Sequence, residues 1–129
     1  MRLLSVILAF FSLFSRGTNF NDPEEIAGDI LENIEAFALQ KKYPLHACAT
    51  EMMMPGGTVK KLTLCFQTKT LLSRSQLRIL SIECGEELLR QVNFNKHIQR
   101  FLVKNPFTIK EVSIVIYNKD KEGMTLMIL

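Results

Sequence analysis

Residues 45–68, LHACATEMMMPGGTVKKLTLCFQT, predict a β-hairpin. Its two arms, about 45–54 and 58–68, are rich in apolar, β-branched and aromatic residues, which are typical of strands. The Pro-Gly-Gly sequence at 55–57 is a strong turn signal between them. The centre of the chain is therefore expected to contribute two neighbouring antiparallel strands.

The turn also predicts how the two strands are aligned. In a two-residue loop of the glycines alone, Pro55 would occupy a position that needs a backbone N–H, which proline lacks. A three-residue loop with Gly57 in the left-handed conformation avoids this conflict and pairs Glu51 with Lys61. We prefer this second register. It places six side chains on the inner face of the hairpin: Cys48, Thr50, Met52, Leu62, Leu64 and Phe66.

Helices are predicted on both sides of the hairpin. Asp22 is a good N-cap for a helix over about 23–41, which begins with a proline and carries apolar residues at a spacing of four. Ser73 opens a capping box for a second helix that extends to about residue 92. A short third helix is predicted over about 95–103.

The last third of the chain is strand-like, because Val112, Ile114 and Ile116 alternate with less apolar residues. A polar loop over 118–123 leads to a closing strand over 124–129. The element order is then α-β-β-α-α-β-β. We expect an α+β fold with a four-stranded, mostly antiparallel sheet and helices on one face.

The N-terminus has the three parts of a secretory signal. Arg2 supplies the basic start, residues 3–14 the apolar run, and Gly17 a small residue before the expected cleavage point. The run is shorter than the roughly 20 apolar residues that span a bilayer. We therefore expect a signal peptide (1–17) and a single α+β domain (18–129). The protein is then exported to the periplasm, cell envelope or medium, and is not an integral membrane protein after cleavage.

The charge of the mature domain argues against one class of partner. The formal net charge is +3, and removal of the signal peptide leaves 14 basic and 13 acidic residues. Nucleic-acid binding depends on neutralising phosphates, so a nearly neutral domain is not expected to bind DNA or RNA. An acidic stretch over 22–35 predicts a solvated helix face or a charged patch that meets a partner.

Three cysteines and two histidines are the candidate catalytic groups. Cys48 or Cys65 could act as a nucleophile with His46 or His97 as the base, which would make a small thiol enzyme or hydrolase. The alternative is that Cys48, Cys65 and Cys84 are buried thiols that behave as small apolar groups. A Cys48–Cys65 disulfide requires the rejected two-residue loop. The spacing does not match a zinc site, and we predict no metal and no cofactor.

The hairpin tip offers a candidate contact surface. Met53 should point outwards next to the flexible Gly56 and Gly57, and methionine adapts to varied partners. Because no catalytic motif stands out, the leading hypothesis is a non-enzymatic module that binds another protein or an envelope surface, using a sheet edge or the outer sheet face. A homodimer through that edge is one form of this hypothesis. A lipid or small-molecule carrier is a further alternative, which needs an apolar cavity.

Overall fold

The computed structural model describes residues 17–120 and 123–128, with side chains as far as Lys119. Apart from Gly17, the predicted signal peptide lies outside the described residues. The helices are α1 (Pro23–Leu39) and α2 (Arg74–Phe94), and the strands are β1 (Leu45–Met53), β2 (Lys61–Thr68), β3 (Val112–Asp120) and β4 (Gly123–Ile128). Within the described part neither helix has the length and apolarity needed to cross a membrane.

The strands form a mixed sheet. Strand β1 pairs with β2 antiparallel, but the central pair, β2 and β3, is parallel, and the backbone of β4 pairs antiparallel with the far side of β3. The prediction of a four-stranded, mostly antiparallel sheet in the order α-β-β-α-α-β-β is therefore wrong. The reason is the connection from β2 to β3: it contains α2, and a helical crossover returns the chain in the same direction. The coarser prediction, an α+β fold, is confirmed.

The predicted third helix over 95–103 is also wrong, because only a 3₁₀ turn forms at Gln99–Phe101. The side chain of Gln99 explains this difference. Its Nε2 donates to the carbonyl oxygens of Val92 and Asn95 at 2.8 Å each, and to that of Asn93 at 3.3 Å. These bonds fold the segment back onto the end of α2, so that it does not continue as a helix.

The hairpin register differs from the prediction as well. Glu51 pairs with Thr63, not with Lys61, and Cys48 lies at a β-bulge between Ala47 and Ala49. The reason is a tertiary contact at Val59: its N–H donates to the Phe101 carbonyl at 2.7 Å, and its carbonyl accepts from the Val103 N–H at 3.0 Å. Val59 therefore pairs with this loop and not with β1, and β1 is rejoined only at the Lys60 N–H, which donates to the Met53 carbonyl at 2.8 Å. This lengthens the connection. Gly57 does adopt a positive φ, as predicted.

Both helices pack on the same face of the sheet and enclose one hydrophobic core. Strand β2 alternates as a half-buried strand should, with Leu62, Leu64 and Phe66 fully buried under the helices. From α1, Ile34 is fully buried against them, as is Leu88 from α2. The other side of the sheet is covered by neither of the two helices, and this arrangement determines which groups remain available for binding.

Candidate functional site

The predicted cysteines are all free thiols in three different surroundings. Cys48 is exposed at the bulge of β1, Cys65 is half-buried on β2, and Cys84 is buried in α2. Cys48 was expected on the inner face, and the bulge is the reason that it is not. The Cα partner of Cys65 across the strands is Ala49, so the two hairpin thiols are neighbours without being directly opposite.

The surroundings of two thiols oppose nucleophilic reactivity. Burial raises the pKa of Cys65, and the neighbouring Cys48 and Glu51 raise it further. Burial also raises the pKa of Cys84 to about 11, although Lys41 acts in the opposite direction. A catalytic cysteine requires a lowered pKa, which normally comes from a nearby cation or imidazole. Neither thiol has the surroundings that such chemistry needs.

The two histidines lie apart from one another in the fold. The ring of His97 stacks on Phe20, with centroids 3.8 Å apart and an interplanar angle of 11°. His46, at the start of β1, has a buried Nε2 without a hydrogen-bond partner in the described structure. Among the residues that the structure describes, no thiol is hydrogen-bonded to an imidazole and no cluster of three His, Cys, Asp or Glu side chains could hold a metal.

A cavity of about 420 Å³ lies beside His46 at the end of the sheet where β1 begins. It is lined by His46, Gln67, Thr68, Lys69 and Lys119. Two of these side chains are cationic and none is acidic. Among the described residues the cavity is therefore lined by polar and cationic groups, unlike the enclosed apolar space that a lipid carrier needs.

A buried polar network that the sequence analysis did not identify supports this cavity. The Thr68 hydroxyl accepts from the Lys119 N–H at 2.9 Å and donates to Asn118 Oδ1 at 3.2 Å. Asn118 also bonds both the N–H and the carbonyl of Leu72, at 3.0 and 2.9 Å. The only sign of this network in the sequence was Asn118 itself, a polar residue at a position where the alternation of Val112, Ile114 and Ile116 predicts an apolar one.

Among β1, β2 and β3, the strands whose side chains are described, β1 is the most accessible. It lies at the end of the strand order, with β2 on one side. Leu45 is buried, but the five residues from Ala47 to Glu51 are all exposed, whichever face of the sheet they point to. Within the described part, no loop donates a hydrogen bond to, or accepts one from, the main chain of residues 46–52. This segment is thus an accessible sheet edge.

The predicted contact residues follow directly after this edge. Met53 is 44% exposed. Gly56 and Gly57 are exposed at the tip with φ values of 60° and 78°, a conformation that favours glycine. Their role as a contact surface stays a prediction, and the edge of β1 is the larger accessible surface beside them.

Comparison with known proteins gave no match to a family model, to a curated protein or to a solved structure.

Proposed function

We propose that the protein is an exported, non-enzymatic binding module that accepts a strand of a partner protein along the edge of β1. The observation that carries this proposal is the exposure of the strand from Ala47 to Glu51 at the end of the sheet order. An edge strand presents unpaired N–H and carbonyl groups, and an extended segment can satisfy them by extending the sheet.

The residues of this edge favour strand addition. Natural edges are commonly protected by lysine, proline or a covering loop. From Ala47 to Met53 the strand contains no lysine and no proline, and Glu51 is its only charged residue. The bulge at Cys48 is the one protective feature in the strand, and it lies near the beginning, so that residues 49–53 remain regular.

The packing gives less support to the other functions considered. The space between the helices and the sheet is filled by side chains with no exposed surface, including Ile34, Leu64 and Phe66. A lipid carrier would need an apolar cavity at this position. The thiol enzyme would need a thiol with a lowered pKa, whereas burial raises the pKa of Cys65, one of its two candidate nucleophiles.

A photo-crosslinker on Cys48 tests the proposal, because this thiol is exposed on the edge itself. The labelled protein, with Cys65→Ser to keep the label at one position, is incubated with the exported fraction of the native host. We expect one major adduct, which mass spectrometry identifies as a partner or, at twice the mass of the chain, as a second copy.

Two matched variants make the outcome specific. The control carries the crosslinker at Ile79→Cys in a Cys48→Ser, Cys65→Ser background, since Ile79 is 57% exposed on α2, away from β1. The blocking variant carries Ala49→Lys and Thr50→Lys, which add charges at two exposed edge positions. We expect the adduct to be lost in both. Equal adducts from Cys48 and Ile79, or an adduct that survives the blocking variant, would contradict the proposal.

A further inference from the structure

The end of α2 and the loops that follow it present an apolar and basic surface at one end of the molecule. From Phe94 to Lys110 the sequence contains four Lys or Arg residues and no Asp or Glu. Three large apolar side chains in the same segment are exposed: Phe94 at 80%, Val103 at 55% and Ile109 at 52%. Single exposed apolar residues are ordinary, but three of them among cations in one short segment require an explanation.

Hydrogen bonds bring Phe94 and Ile109 to one part of the surface. Asn93 Nδ2 donates to the Phe107 carbonyl at 3.0 Å, and Asn93 Oδ1 accepts from the Phe107 N–H at 2.9 Å. Phe94 directly follows Asn93, and Ile109 lies two residues after Phe107. This double hydrogen bond therefore places Phe94 and Ile109 near each other at the end of α2.

The cationic residues join the same area. The Thr108 hydroxyl donates to the Glu111 carboxylate and holds the pKa of Glu111 below its ordinary value, and the positive charge of Lys104 contributes in the same direction. Lys104 therefore lies near the turn that contains Lys110. We call the set formed by Phe94, Val103, Lys104, Ile109 and Lys110 the basic loop patch.

The Glu111 carboxylate offsets part of the charge of this patch, and the two lysines of the patch leave an excess of one positive charge. The ion pairs in the described part of the protein involve Lys41 with Glu83 and Arg90 with Glu87, and none involves Lys104 or Lys110. The neighbouring Arg100 donates to the carbonyl of Phe20 and to Asn21 Oδ1, which are uncharged acceptors. The acidic first turn of α1 begins just after Asn21. The carboxylates of that turn therefore lie on the side of the molecule where Arg100 binds Phe20 and Asn21.

We propose that the basic loop patch docks the protein on a bilayer surface that contains anionic phospholipid. Exposed Phe and aliphatic side chains on loops can enter the headgroup region, while lysines beside them contact lipid phosphates. A bilayer fits this composition better than a protein partner does, because lysine is depleted from protein–protein interfaces. The proposal is independent of the edge of β1 and goes beyond it.

The absence of tryptophan from the chain makes a specific test possible. In the full chain, Phe94→Trp places a single fluorescent reporter in the patch. Ile79→Trp is the matched control on the same helix, about 22 Å away along the axis. Vesicles of phosphatidylcholine with 30% phosphatidylglycerol, or of phosphatidylcholine alone, are titrated into each protein. We expect a blue shift in the emission of the Phe94→Trp variant with the anionic vesicles only, and none from the control.

A second pair of variants tests the charge. In the Phe94→Trp background, Lys104→Glu with Lys110→Glu should weaken the vesicle titration about thirtyfold or more. Lys42→Glu with Lys69→Glu, at exposed positions at the other end of the molecule, should leave it nearly unchanged. Higher salt should weaken the interaction of the parent protein as well.

Several results would overturn the proposal. Binding through the apolar N-terminal run alone would sediment the protein with vesicles without shifting the Phe94→Trp emission. Equal shifts with neutral and anionic vesicles would show that the lysines do not contribute to membrane binding. Equal shifts from both tryptophan reporters would show that the patch does not determine how the protein is oriented on the membrane. A shift that depends on protein concentration and needs no vesicles would assign the patch to a contact between two copies.

Discussion

Asn118 is the residue whose side chain joins β3 to the loop after β2. It is nearly buried, and all three of its hydrogen bonds are made inside the protein, to Thr68 and to both backbone groups of Leu72. A buried backbone group that loses its only partner keeps the full cost of its desolvation. The network therefore stabilises the end of the sheet that carries the cationic cavity.

We predict that Asn118→Ala lowers the free energy of unfolding by about 2–3 kcal/mol, because Leu72 is left with an unpaired N–H and carbonyl. Urea denaturation followed by circular dichroism measures this loss. Gln67→Ala is the control, since Gln67 is exposed nearby on β2 and should change stability by less than about 0.5 kcal/mol. Equal losses from the two variants would show that the network has no special role.

Cys84 makes the stability depend on pH in the alkaline range. Burial raises its pKa to about 11 in the folded protein, from 9.0. Between these values the unfolded chain has released the proton and the folded chain retains it, so the free energy of unfolding falls as pH rises. We predict that this thiol contributes a loss of up to about 2 kcal/mol between pH 8 and 10.5.

The measurement compares the parent protein with Cys84→Ala at both pH values, so that the contributions of all other groups, which the two proteins share, cancel. The alanine variant should be less stable at pH 8, but its stability should fall less on going to pH 10.5. Parallel losses in the two proteins would contradict the assignment of the effect to Cys84.

At the scale of elements, α2 shows how a short sequence motif determines the residue at which a helix begins. The Ser73 hydroxyl accepts from the Gln76 N–H at 3.2 Å, and Gln76 Oε1 accepts from the Ser73 N–H at 2.8 Å. Both bonds satisfy N–H groups that a helix start would otherwise leave unpaired. This capping box was predicted from the sequence and is present in the structure.

We predict that Ser73→Ala destabilises the protein by about 1 kcal/mol through the loss of this cap. The control is Ser75→Ala, two residues later at an exposed helical position, where alanine is favourable and the change should be within about 0.5 kcal/mol. Thermal denaturation of both variants is sufficient to separate the two effects. A Ser73 variant as stable as the Ser75 variant would exclude a role for the cap.

The elements that were predicted correctly from the sequence are those that depend on neighbouring residues only. The cap of α1 at Asp22 and the alternation of Leu62, Leu64 and Phe66 depend on neighbouring residues only, and both were identified correctly. The hairpin register depends on the hydrogen bonds between Val59 and the loop at 101–103, about 40 residues further along the chain. No local pattern contains that information, so the register was predicted incorrectly.

The candidate site was harder to predict than the elements for a similar reason. Met53 was expected to be exposed, and it is, but the accessibility of β1 depends on where the helices and the bulge at Cys48 lie. The parallel pairing of β2 with β3 likewise follows from a crossover between distant segments. Sequence patterns identify which residues face outwards more readily than which surfaces the whole molecule leaves uncovered.

At the scale of the whole molecule, the functions proposed for the edge of β1 and for the basic loop patch were both assigned to an exported protein. Gly17 is exposed and Thr18 is half-buried, and α1 starts a few residues later. The cleavage point after the small residue at 17 stays a prediction from the sequence.

We predict that expression in the native host yields a mature protein whose N-terminal residue is Thr18, found outside the cytoplasm. Leu8→Arg should block export, because a charge interrupts the apolar run that the export machinery recognises. Arg16→Lys is the matched control, since it preserves the charge outside that run. Intact mass and cell fractionation measure both effects. An exported or cytoplasmic protein that retains Met1 would contradict the signal peptide, and the partners expected for β1 and the basic loop patch would then have to be intracellular ones.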